Sequence, residues 1–136
     1  MNRGDWDSSN NIYDMFEFIK DMITERQQRL IACEFTRLIW DELPEIGKDA
    51  LVIAEHYAIG EIELYECEKA QTKLQSLLPN DDHAHVFSPV IWCLEESTDS
   101  YPVYYTAALA ASNISELTNL NLCDILREKV QPFSKH

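Results

Sequence analysis

The stretch TERQQRLIACEFTRLIWDELPEIGKDALVIAEHYAIG, residues 24–60, decides the fold. Thr24 stands three residues before Gln27, the spacing of a capping box. The hydroxyl accepts from one orphan backbone N–H and the glutamine reaches back to another. Beyond this start, Ile31, Phe35, Leu38 and Ile39 gather on one side of a helical wheel and predict a stripe facing a core. The opposite side carries Arg26, Arg29 and Arg37, with Cys33 and Trp40 between the two sides. Pro44 fits the opening of a second helix, where its missing N–H costs nothing. Ile46, Ala50, Ile53, Ala54 and Tyr57 follow it at amphipathic spacing. Gly60 falls where a left-handed residue ends that helix. The join between the two helices is short, so they are expected to pack as antiparallel neighbours, with Phe35, Leu38, Ile53 and Tyr57 buried between them.

Outside this hairpin the same spacing recurs. Ile12, Met15, Phe16, Ile19 and Met22 mark a helix over about residues 11–22, capped by Ser9 or Asn10. Leu64, Cys67, Ala70, Leu74, Leu77 and Leu78 mark another, closed by a turn over residues 79–82. The run 88–96 opens on Ser88 as a cap with Pro89 behind it and reads as a short helix or a strand. After a loop at 97–100, residues 101–112 are apolar on all sides, as in a buried helix. Leu117, Leu120, Leu122, Ile125, Leu126 and Val130 supply the packing side of a last helix. The expected fold is all-α: a single-domain bundle of about five or six helices built on the antiparallel hairpin at 25–60. Residues 1–9 are expected as a flexible or lightly docked arm with Trp6 folded back, 10–133 as the domain and 134–136 as a tail.

The hairpin also carries a resemblance. Arg29, Leu30, Ala32, Cys33, Arg37, Ile39 and Trp40 in the first helix, and Val52, Ala54, Glu55, Tyr57, Ala58 and Gly60 in the second, resemble a group of small bacterial proteins abundant as paralogues in planctomycete genomes. Their helices read roughly RLFACACCRRIW and AVEVAERYADG. Weaker echoes fall at residues 15–21 and 123–133. The resemblance implies a shared helical fold; the group has no established activity. Phe35 and Thr36 stand where the group has paired cysteines, so a thiolate metal site on that helix is not implied here.

Charge narrows the function classes. The 136 residues hold 24 acids against 11 bases, a formal net charge of −13. Such a chain is repelled by nucleic-acid backbones and by anionic membranes, and is attracted to basic protein surfaces. No run is long and apolar enough to predict a membrane span. Residues 1–10 lack the apolar core of a signal peptide. Cytoplasm is the expected compartment, with four reduced cysteines, Cys33, Cys67, Cys93 and Cys123, that lack metal-binding spacing.

Three site readings follow. Glu61, Glu63, Glu66 and Glu68 form one acidic patch, and Asp41, Glu42 and Glu45 form a second in the hairpin turn. Either suits a basic partner, as in an inhibitor or immunity-type protein. The alternative is a metal-dependent or acid–base enzyme using Asp81, His83 and His85, with Asp82 beside them and Glu55 or His56 completing the set. Acids and histidines in such a loop are more often simply solvated. Cys33 between Arg29 and Arg37 has the charge environment of a reactive thiol, although a packed thiol with arginines paired to another helix is the commoner arrangement. No phosphate-binding loop, HExxH or GxSxG motif is present. The expectation is therefore a non-catalytic acidic module with a basic protein partner, no cofactor and no metal; homo-oligomerisation is left open.

Overall fold

A computed structural model describes residues 1–77, 84–94 and 119–133, with the side chains of 84–86 and 119–121 excepted. Seven helices pack against one another and no strand occurs among the described residues. They are α1 (Arg3–Ser8), α2 (Ile12–Ile19), α3 (Glu25–Arg37), α4 (Glu45–Ala58), α5 (Leu64–Leu77), α6 (Ala84–Leu94) and α7 (Asn119–Lys129). A single 3₁₀ turn, Trp40–Glu42, joins α3 to α4.

The hairpin forms as its local signals dictate. Thr24 accepts from the Gln27 N–H at 3.1 Å, and the Gln27 side chain accepts from the Thr24 N–H at 2.7 Å. Gly60 adopts φ +84°. Its N–H donates to the Tyr57 carbonyl at 3.0 Å, and the Glu61 N–H donates to that of His56 at 2.9 Å. These two bonds close α4 as a Schellman motif. The helices are antiparallel: Arg26 lies beside Gly60 at the open end, and Trp40 meets Lys48 at the closed end.

α3 is the central helix, and it buries two stripes rather than one. Ile31 and Phe35 lie in the expected core stripe. Arg29, Ala32, Cys33 and Thr36, at i, i+3, i+4 and i+7, form the second. α3 packs with α4 and α6, and also with α7. Arg29, expected on the side opposite the core stripe, is thus itself fully buried. Leu38, expected in the core, is 41% exposed. The helix ends at Arg37, the chain turns, and Ile39 takes the buried position. Phe35 is fully buried, while Ile53 and Tyr57 are half-buried.

Three further boundaries differ from expectation. Asn11, not Ser9 or Asn10, caps α2, accepting from the N–H groups of Tyr13 and Asp14. α2 stops at Ile19, which leaves Met22 in a turn and 55% exposed. α6 begins at Ala84 and runs through Pro89 instead of starting there. Pro89 removes one helical hydrogen bond. Burial of Phe87, Val90, Ile91, Cys93 and Leu94 outweighs that loss. Gly47 of α4 faces the Phe87 ring, where even an added Cβ would make only ordinary contact at 3.5 Å.

The stretch expected as an arm holds α1, with an Asn2/Asp5 capping box and a buried Trp6. Arg127 of α7 anchors it by donating to the carbonyls of Trp6 at 3.2 Å and Ser9 at 2.8 Å. The turn at 79–82, the loop at 97–100, the apolar segment 101–112, Leu78, Leu117 and the tail at 134–136 lie outside the described residues. No described helix is long and apolar enough to cross a membrane.

Candidate functional site

Polar residues of the hairpin divide into a buried group that joins helices and an exposed group at the two ends of α4. Arg29 is the hub of the first. Its guanidinium donates to Glu25 at 2.6 and 3.2 Å and to the Cys93 carbonyl of α6 at 2.6 Å. It also stands 4.8 Å from the centre of the Tyr57 ring, which ties α4 into the same node. Nearby, Thr36 donates to the Ala32 carbonyl at 2.8 Å and lies 3.2 Å from Cys93 Sγ.

Cys33 is buried in this node. A hydrogen bond with Cys93, then desolvation, raises its thiol well above the ordinary 9.0. Burial raises Cys67 and Cys123 as well. Cys33 is thus a neutral packed thiol, not the thiolate that nucleophilic chemistry requires. One turn on, Arg37 forms a two-pronged bond to Glu55 of α4, at 2.7 and 2.8 Å. That bond, more than any other contribution, raises the Arg37 pKa. The Arg37 guanidinium also lies 4.2 Å from the Trp40 ring centre, and Lys48 lies 5.5 Å from it. Trp40 is half-buried between these cations.

The exposed group is different in kind. At the Gly60 end, Glu61, Glu63 and Glu68 are exposed and Glu66 is half-buried. Among them stand Ile59, 56% exposed, and Tyr65, 55% exposed. These two and Met22 are the most exposed large apolar side chains among the described residues. A hydrogen bond to Glu66 raises the Tyr65 phenol above its ordinary value, and Lys69 approaches the ring to 5.7 Å. His56 pairs with Glu61 across the turn. Asp41, Glu42 and Glu45 are exposed at the opposite end. The 14 residues of α4 separate the patches by about 21 Å, so the seven acids do not converge. Ile59 and Tyr65 were missed by reading the sequence for acidic charge; the signal available was that both stand off the core stripes on either side of Gly60.

The alternative metal set is not assembled by the described residues. Glu55 is engaged by Arg37 and His56 by Glu61. Asp81, Asp82 and His83 lie outside the described residues, as does the side chain of His85. Among the described residues no three histidine, cysteine or acidic side chains are placed to hold a metal ion. No protein-family model, curated protein or solved structure matches the chain.

Proposed function

We propose that this chain is a small acidic protein-interaction module, of the inhibitor or immunity type and without catalytic chemistry, that covers a basic surface of a partner protein. One observation carries the reading: two exposed apolar side chains, Ile59 and Tyr65, bracket the exposed acids Glu61 and Glu63 along the α4–α5 turn, with exposed Glu68 three residues further on. Apolar anchors inside a polar rim are the anatomy of a protein interface. The carboxylates favour a basic partner and speed its encounter. The resemblance to the planctomycete group agrees with this division. Of the residues that carry it, Arg29, Arg37, Glu55, Tyr57 and Gly60 all serve to join or end helices. We read them as a shared scaffold, with function carried by the surface around it. Four buried thiols without disulfides suit the cytoplasm as the place of action.

The test is kinetic. A partner recovered by affinity capture is mixed with the wild-type chain and with Glu63→Lys/Glu68→Lys at rising salt. Association of the wild type should slow about tenfold between low and high salt, with dissociation nearly constant. The double reversal should slow association at low salt and flatten the salt dependence. Its unfolding free energy should change by less than about 0.5 kcal/mol per site, as is usual for exposed positions. Association indifferent to both salt and reversal would assign the negative charge to solubility alone.

A further inference from the structure

A second surface lies on the other side of α3, away from α4. The turn after α2, the outer face of α3 and the end of α7 enclose a cleft of about 780 Å³. That volume falls within the range of ordinary ligand pockets, roughly 300–1,000 Å³. Its walls are apolar: Met22, Ile23, Leu30, Ile31, Val130 and Pro132. Its polar residues, Gln27, Glu34, Glu128, Lys129 and Gln131, are all exposed. Gln27 is committed to the cap of α3, and Lys129 already stands 3.8 Å from Glu34. No buried side-chain polar atom among the described residues lacks a partner.

These features choose between occupants. A small-molecule site needs a few polar groups aimed inward to orient its ligand. This cleft has an apolar floor, and its polar groups are exposed. An amphipathic helix needs that arrangement: a groove for side chains at i, i+3, i+4 and i+7, with complementary charge at the edges. Two carboxylates, Glu34 and Glu128, against the one cation Lys129 leave these edges net negative, which favours lysine or arginine on the incoming helix. A second copy of this chain, at a net charge of −13, would bring like charge to the same edges. We infer that the cleft between α3 and α7 is a docking groove for a basic amphipathic helix of a partner protein. The inference extends the proposed interaction function but uses a surface distinct from the acidic α4–α5 turn.

The probe is a labelled 18-residue peptide of leucine and lysine, with leucine at helical spacing. A peptide of the same composition and scrambled order is the control. Fluorescence anisotropy with the full chain at physiological salt should show the patterned peptide binding at least tenfold more tightly than the scrambled one. Glu34→Lys/Glu128→Lys should weaken the patterned peptide about tenfold. Met22→Glu, at an exposed wall position, should weaken it at least fivefold while circular dichroism stays unchanged. Glu63→Lys/Glu68→Lys should leave it within twofold, which separates this groove from the surface of the proposed function. Equal binding of the two peptides would overturn the groove. So would sensitivity to Glu63 and Glu68 instead of Glu34 and Glu128. So would a dimer of the wild-type chain in sedimentation that Met22→Glu dissociates.

Discussion

Replacing Arg29 by alanine lowers the stability of this domain by about 3–5 kcal/mol, the usual cost of breaking a buried ion pair from one side. The guanidinium is fully buried and holds three helices at once, through Glu25, the Cys93 carbonyl and Tyr57. Truncation deprives the Cys93 carbonyl of this donor and leaves Glu25 without its cation. Glu25 retains 36% of its side-chain exposure, and water there recovers part of the loss. The lower half of the range is therefore expected. Arg29→Met refills the volume and should cost less, about 1–3 kcal/mol for the polar groups left unmet. Urea unfolding of the three proteins measures both differences. Loss within about 0.5 kcal/mol for Arg29→Ala would mean that the guanidinium reaches solvent.

Phe35→Ala should cost about 3–5 kcal/mol, the range for truncating a core phenylalanine. Its side chain is fully buried and its ring centre lies 6.0 Å from that of Phe16, tilted by 54°. The cavity would open where α2 leans on α3, so both the lost apolar transfer and the lost packing contribute. The denaturation midpoint should fall with an unchanged slope, because the native fold persists around the void. A change within error of zero would remove Phe35 from the core.

The hairpin was legible because its signals are local. A capping box, a left-handed glycine and a 3.6-residue apolar period each act over a few positions. Arg29 was not legible, because charge ranks it with the surface and only the packing of α6 makes its face an interior. The clue was present in the small residues Ala32, Cys33 and Thr36 at helical spacing from it. Leu38 and Met22 failed for the opposite reason. Their apolar character extended a stripe past the point where the backbone turns, and no periodicity marks that point. Pro89 shows tertiary burial overriding a local breaker. The acidic residues were found at once, since charge is written in composition. That exposed apolar side chains, Ile59 and Tyr65, flank Glu61 and Glu63 beyond the Schellman turn at Gly60 is a matter of burial, which charge does not mark.

The central claim is that the α4–α5 turn is where this chain meets its partner. Dissociation of the captured complex tests it most directly, with Ile59→Ala/Tyr65→Ala compared against wild type. Both side chains are more than half exposed, so the melting temperature should hold. Interface anchors act chiefly on dissociation. The account predicts that the complex falls apart at least about tenfold faster, with association little changed. A dissociation rate equal to that of the wild type would contradict it.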